Sequence, residues 1–541
     1  MSKLLIVGLG PLFENGVRYL GAQCLRTWCF VEPLLRDGHT VRLVTMPITH
    51  PRDVQPALIR LNFHGLEYQS FTNCDFPFIH ETLTQVARSF APDAMIAVNN
   101  LPAWIVARLP LCVPMWADLY GYQMAEKQGQ AARTHDDDAL VPAWKNEALT
   151  ARRADKFSAV SRPQLHALLG EMASLGRLNQ HTFRYHFAHH IPASFHPAFA
   201  SQPVCQSDRS DRSDRSDQSD SPSASGTVRQ SALSLPQHSA LSTQHSALST
   251  QHSALSPQSS VLSSQHSALS TQHSPVLRGK VVPPDAFVLL WSGGYNFWTD
   301  PDFLFDFISA ALHQDARIHY VSTGGALEGY NTQTYERFRD LVERSDVRDR
   351  CHLLGWVPAE DLPGIYREAD LAINIDEPNY ETLFGARTRV NNLMAAGVPV
   401  LTTFGSEVSQ AIADGKCGIV CPAQDAQALA AAVRRAVEER AWLRELAEKA
   451  RDFALREWAP EKVTEPLRKW VQAPAPAPDN AAKLRENPGI LSFLDAAVNE
   501  LDRNAALVER HGAHEMRRDQ VDFDTIRSKR WYKILKRVAG W

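Results

Sequence analysis

The stretch Phe384-Gly385-Ala386-Arg387-Thr388-Arg389 sets a glycine and two arginines just ahead of a helical run, TRVNNLMAAG. A helix start carries unpaired N–H groups and a partial positive charge, which suits a diphosphate. Gly385 allows close backbone approach. Arg387 and Arg389 can add charge-assisted hydrogen bonds to phosphate oxygens. Donors fixed there would stabilise a leaving diphosphate as its charge grows. The alternative is that both arginines pair with Asp376, Glu377 or Glu381 on a loop surface. A second candidate is Trp291-Ser292-Gly293-Gly294-Tyr295-Asn296. Its two glycines permit a tight turn whose N–H groups face a ligand, though an ordinary connection fits as well. Gly8-Leu9-Gly10-Pro11 is not a dinucleotide fingerprint, because Phe13 stands at the third glycine position. His189-His190 lacks a third metal ligand, and His135-Asp136-Asp137-Asp138 reads as a surface loop.

These residues need elements to hold them. KLLIVGLG, TVRLVTM, DAMIAV, CVPMW and KFSAVS are strand-like runs in the first part of the chain. AFVLLWSGG, RIHYVST, CHLLGWV, DLAINI, VPVLTT and GIVCP follow in the second part. Helical stretches such as HETLTQVARSF and DFLFDFISAALHQ alternate with them. Apolar strands alternating with amphipathic helices imply parallel sheets covered on both faces. Two such halves make two doubly wound α/β domains, with ligands beyond the carboxyl ends of the strands.

The chain has 541 residues, 44% hydrophobic and 21% charged, with a net charge of -4. Those values suit a folded multi-domain protein and give no basic field for nucleic acid. No apolar run reaches the roughly 18 residues a membrane span needs. The eight cysteines form no CxxC pair, so reduced thiols in a cytoplasmic enzyme are expected. Residues 201–280 carry SDRSDRSDRSDQSD and recurrent QHSALST. That composition cannot bury enough apolar area to offset chain entropy, so a disordered linker is expected there. The expected organisation is therefore 1–200 and 281–471 as domains, and 472–541 as a Pro/Ala linker with a helical tail.

The stretch from Arg350 to Pro422 resembles the donor-binding domain of the retaining, GT-B-fold, family-4 glycosyltransferases. The residues that carry the likeness are Leu354-Gly355-Trp356-Val357, Ala369-Asp370, Glu381 and Met394-Ala395-Ala396-Gly397-Val398-Pro399-Val400. It covers about residues 285–471 well and 1–200 more loosely, through GHTVRLVT, APDAMIAV and RADKFSAVS. The resemblance implies two Rossmann-like lobes facing a cleft. It implies transfer of a hexosyl group, with retention, from a nucleotide-diphosphate sugar to an acceptor hydroxyl in glycan or polysaccharide synthesis. No metal and no separate cofactor are expected.

Carried over residue by residue, the likeness makes Glu381 a sugar or nucleotide contact and places Asn392 where the family has a second glutamate. It puts the base at Gly355 and Trp356, although an aromatic at a strand end also reads as core. Gly293, Gly294 and Asn296 occupy the region where the family holds the diphosphate. Arg387, Thr388 and Arg389, at the helix start described above, would stabilise the leaving phosphate, Arg387 as a catalytic residue. The family's Arg and Lys clamp after the first strand of this lobe is missing. In the first lobe the loop with Gly10 and Arg18 matches the family's acceptor-side loop. Asp118 stands where the family often has a histidine, as a base or an orienting group; the alternative is an Asp capping the next helix.

The tail TIRSKRWYKILKRVAGW puts Trp531, Ile534, Leu535 and Val538 on one face, among six cations. It fits either peripheral contact with an anionic membrane carrying a lipid-linked acceptor, or packing on its own protein. Two rivals to glycosyl transfer stay open. One is a sugar-nucleotide epimerase or hydrolase of the same fold; the other is a non-catalytic sugar-nucleotide-binding scaffold.

Overall fold

The structure is a computed structural model that describes residues 1–48, 54–200 and 275–481. The repeat-rich segment and the basic tail lie outside the described residues, as do the readings made of them.

The first lobe is one sheet of eight strands: β1 (Lys3–Gly10), β2 (Thr40–Pro47), β3 (Leu58–Phe63), β4 (Leu66–Phe71), β5 (Ala94–Val98), β6 (Met115–Leu119), β7 (Lys156–Ala159) and β8 (Ala188–His190). Their order is β3-β4-β2-β1-β5-β6-β7-β8, parallel except for the β3–β4 hairpin. The second lobe holds β9 (Phe287–Ser292), β10 (Ile318–Thr323), β11 (Cys351–Leu353), β12 (Leu371–Asn374), β13 (Val400–Thr403) and β14 (Ile419–Cys421). Their order, β11-β10-β9-β12-β13-β14, reverses direction between β9 and β12, which opens a crevice at the strand ends.

Continuous apolar strands are buried on both faces, so each sheet carries two cores. Leu5 and Val7 of β1 point into one cluster, and Leu4 and Ile6 into the other. In β9, Leu289 and Trp291 alternate with Val288 and Leu290 in the same way. Helix starts are fixed by side-chain caps. Asp75 accepts from the Phe78 N–H, Asp300 from Phe303, and Asn379 from Thr382. Among the described residues no helix is long and apolar enough to cross a membrane.

Two expected boundaries move. Residues 275–280 belong to the folded second lobe: Leu277 is fully buried and the Arg278 guanidinium pairs with Asp370 at 2.6 Å. The stretch expected to be a Pro/Ala linker after Val471 is packed on the first lobe as far as Ala481. Helices Pro460–Val463 and Glu465–Trp470 return to the first lobe, where Val463, Leu467 and Val471 join the core around Trp116. Ala477 is buried beside the first sheet, and Asp479 forms a two-pronged buried ion pair with Arg177 at 2.8 and 2.9 Å. Prolines and alanines extend this segment, and the anchors come from Ala477, Asp479 and Asn480.

Candidate functional site

The carboxyl ends of both sheets face one cavity of about 470 Å³. Leu9 and Tyr120 open onto it from the first lobe; Ser292, Thr323 and Trp356 open onto it from the second. The floor on the second-lobe side is built from strand-end glycines. Gly293 has φ +98°, a conformation that only glycine adopts cheaply, and its N–H bonds to Thr323 O at 2.7 Å. The next strand end repeats the device, with the Gly324 N–H on Gly355 O at 2.7 Å. A side chain on Gly324 would collide with the Gly293 backbone.

Helix Thr388–Ala395 starts at this cavity, and Ala386, Arg387, Thr388 and Arg389 all line it. The two arginines have different fates. Arg387 is buried and fully engaged. Its Nε donates to Asp376 at 2.8 Å, and its Nη1 and Nη2 reach the two oxygens of Glu381 at 3.1 and 2.8 Å. Burial alone would weaken its charge, but Asp376 and Glu381 outweigh that and raise its pKa. Arg387 thus takes the ion-pair arrangement that the sequence offered as the alternative, while still lining the cavity. Glu381 is spent on the same pair. Gly385 leaves the room this pair fills, since a side chain there would strike the Glu381 carboxylate.

Arg389 keeps a free hand. One nitrogen donates to Gly294 O at 2.8 Å, and the guanidinium lies 4.5 Å from the Trp291 ring centre. Its Nη1 is buried with no hydrogen-bond partner among the described residues. Burial lowers its pKa, and the pull of Asp376, opposed by Arg387, does not repay the lost hydration. An unpaired guanidinium nitrogen beside a glycine turn and a helix start has the chemistry to hold an anion. Arg18 and Lys127 line the same cavity from the first lobe.

Of the other expected residues, Gly293, Gly294, Asn296, Trp356 and Asn392 line the cavity. Trp356 donates to Ala326 O at 2.8 Å and packs on Tyr19, ring centres 4.4 Å apart. Asn392 accepts the His196 N–H at 2.8 Å, and Asn391 donates to Ala193 O at 2.9 Å, so both hold the segment that crosses between lobes.

Three expected residues are absent from the lining. Gly10 packs against Thr45. Gly355 contributes its carbonyl to Gly324 behind the surface. Asp118 is completely buried inside β6, pairs with Arg26 at 3.1 and 2.8 Å, and accepts from Ser158 Oγ at 2.6 Å. Strand alternation explains this. β6 runs through Leu119, so Asp118 is an interior strand residue, and the first side chain past the strand, Tyr120, meets the cavity. Tyr120 hydroxyl bonds to Thr388 Oγ1 across the lobes, and burial lifts its pKa to about 12. The histidine pair also lies elsewhere. His189 stacks on Trp116, and His190 binds Glu407 at 2.9 Å.

Residues the sequence reading passed over include Tyr19, Tyr120, Glu126, Lys127 and Tyr330. Tyr120 to Lys127 follow a strand end and open helix Gln123–Thr134. That is the same strand-to-helix signal that singled out Thr388 in the other lobe.

The lobes are clasped together. The Gly16 N–H lies 3.0 Å from both Glu360 oxygens, and Ala359 N–H bonds to Val17 O at 2.8 Å. Arg133 reaches Glu377 at 2.7 Å.

Residues 286–439 match the family model described as glycosyl transferases group 1. Mannosylfructose-phosphate synthase of Agrobacterium fabrum is 32% identical over 117 residues, which is 21% of this chain and 25% of that protein. D-inositol 3-phosphate glycosyltransferase of Streptomyces bingchenggensis is 27% identical over 144 residues, 26% of this chain and 30% of that protein. The chain thus matches less than a third of either relative's length. Among solved structures, sucrose-phosphate synthase from Thermosynechococcus elongatus superimposes with a TM-score of 0.55 at 15% identity, covering 87% of this chain and 98% of that one. Anabaena Alr3699/HepE in complex with UDP-glucose gives 0.53 at 13% identity, covering 87% and 100%. The architecture is the GT-B fold.

Proposed function

From a chain that carries a glycosyl transferases group 1 domain at residues 286–439 of a GT-B fold, we propose a glycosyltransferase that takes a sugar from a nucleotide-diphosphate donor and passes it, with retention, to an acceptor hydroxyl. The observation that carries this reading is the cavity between the sheets, where the Thr388 helix start, the Gly293–Gly294 turn and the unpartnered Nη1 of Arg389 converge. Those groups suit a diphosphate, and positive charge held there favours its departure as an anion. UDP-glucose in the structure of a neighbour of this fold supports a nucleotide sugar as the donor.

Trp356 and Tyr19 offer a stacking surface for a base. Arg18 and Lys127 extend the positive lining toward the acceptor side. The acceptor is a glycan in polysaccharide synthesis, as the family resemblance implies, or a lipid-linked glycan, as the basic C-terminal sequence suggests. The cysteine usage points to the cytoplasm, and the want of an acidic strand-end motif in the sequence points to turnover without a divalent metal. Departure of the diphosphate leaves it placed to take the acceptor's proton on the same face, which gives retention.

The experiment is a screen of UDP-, GDP- and ADP-sugars by calorimetry and by product analysis with sugar acceptors, with and without EDTA. Transfer to an acceptor supports the reading. Donor hydrolysis or epimerisation alone would favour the hydrolase or epimerase, and tight binding without turnover a binding protein.

A further inference from the structure

Glu126 sits in the first turn of helix Gln123–Thr134 and lines the cavity from the first lobe. Its side chain folds over Gly121, where any side chain would run into the carboxyl. Three carboxyl groups line the cavity among the described residues: Glu126, Glu328 and Glu381. Glu381 is locked on Arg387, and Glu328 stands on an exposed loop. No hydrogen bond or ion pair among the described residues engages Glu126, although its neighbour Lys127 is turned away onto Gln130 at 2.8 Å.

Half-buried at the cavity wall and without a protein partner among the described residues, its carboxyl is placed to bond a polar group of a ligand. Of the charged groups that act on Glu126, Glu381 is the strongest, followed by Lys127 and Arg387. Glu381 and Arg387 lie on the two sides of Gly385, close to Thr388. We infer that Glu126 is the first-lobe side chain that hydrogen-bonds a hydroxyl of the donor's sugar ring. The inference rests on the nucleotide-sugar reading above, since it places the diphosphate at Thr388 and Arg389 and the sugar beside them.

Protonation fits this task. Burial raises the Glu126 pKa, Glu381 raises it further, and Lys127 and Arg387 do not cancel them, so it reaches about 8. Glu147 on helix Leu140–Arg153 and Tyr330 on the facing loop also sense Glu126, and neither supplies a positive charge. Near neutral pH the group is a neutral acid that can both donate to and accept from a hydroxyl. Above pH 8 it becomes a carboxylate that only accepts, beside a bound diphosphate that repels it.

The test compares each nucleotide sugar with its free diphosphate: UDP-glucose with UDP, GDP-mannose with GDP, ADP-glucose with ADP. It uses calorimetry on the full chain, the Glu126→Ala and Glu126→Gln variants, and thermal melting as the fold control. In Glu126→Ala the preference for the sugar nucleotide over its diphosphate should fall about tenfold, with diphosphate affinity kept. Glu126→Gln, which also donates and accepts, should restore it. In the parent that preference should decline as pH rises through 8, and in Glu126→Gln it should not. Equal loss of sugar nucleotide and diphosphate, no loss at all, or a pH decline that persists in Glu126→Gln would overturn the inference. If no diphosphate binds the parent, the underlying reading falls first and this one with it.

Discussion

Arg387 grips Glu381 with two parallel bonds, Nη1 to Oε1 at 3.1 Å and Nη2 to Oε2 at 2.8 Å, and both side chains are about 95% or more buried. Asp376 completes a triad on the third nitrogen at 2.8 Å. These residues form the wall behind the helix start, and the guanidinium nitrogen left unpartnered there, among the described residues, is Nη1 of Arg389.

Removing one partner from such a triad leaves an uncompensated buried charge. Arg387→Ala should therefore cost about 3–5 kcal/mol in urea denaturation. An Arg387→Ala protein as stable as the parent, with diphosphate affinity abolished, would make Arg387 a ligand and the wall assignment wrong.

Arg389→Ala should behave in the opposite way. It loses one bond to Gly294 O and a contact with Trp291, so stability should change by only about 1–2 kcal/mol. Affinity for UDP, GDP or ADP should drop at least about tenfold by calorimetry, the loss of a charge-assisted contact. Unchanged affinity for all three would remove the anion site.

Asp118→Asn keeps shape and removes charge. The buried Arg26 would then face a neutral partner, and stability should fall by about 3 kcal/mol or more. Turnover per folded molecule should stay near that of the parent. A general base at this position would instead show a loss of about 100-fold or more in kcat.

Glu407 ties the lobes by accepting from the Arg162 N–H and meeting His190 at 2.9 Å. Burial pushes its pKa up, but the His190 and Arg162 contacts prevail and hold it below the ordinary 4.5. A depressed carboxylate stabilises the folded state above its unfolded pKa, and that contribution disappears as pH falls through the folded value. The interlobe contact should thus be intact from neutral pH down to about 4.5 and weaken in more acid solution. Thermal melts of the parent and Glu407→Gln should converge in acid and differ at neutral pH; a constant gap would refute the linkage.

Glu360→Ala should free the loop around Gly16. It removes the acceptor of the Gly16 N–H while leaving both sheets untouched. Protease cutting between Pro11 and Leu20 should quicken and KM for the donor should rise, with the melting temperature little changed. Equal protection of parent and variant would show that Tyr19 and Val17 alone hold the loop.

Most of the sheet architecture was legible, because buried parallel strands read as unbroken apolar runs such as KLLIVGLG and AFVLLWSGG. The β3–β4 hairpin was not: LIRLNF is mostly exposed and mixes polar with apolar residues. Nor was the return of residues 460–481 to the first lobe, which depends on partners such as Arg177 and Asp155 some 300 positions away. The Thr388 helix start, the Gly293–Gly294 turn and Trp356 were legible for a like reason: a strand end, a glycine turn and a helix start are local events.

What the sequence determined by itself was the pair of α/β lobes and the loops at their strand ends. Only the tertiary structure decided which charged side chains those loops leave available. Arg387 and Glu381 were quenched by one another and by Asp376, and Asp118 by Arg26, while among the described residues Arg389 Nη1 has no hydrogen-bond partner and Glu126 no ion-pair partner. Ion pairing turns on distances of 3–4 Å between groups far apart along the chain, and a one-residue shift within a strand reverses which side of a sheet a side chain occupies.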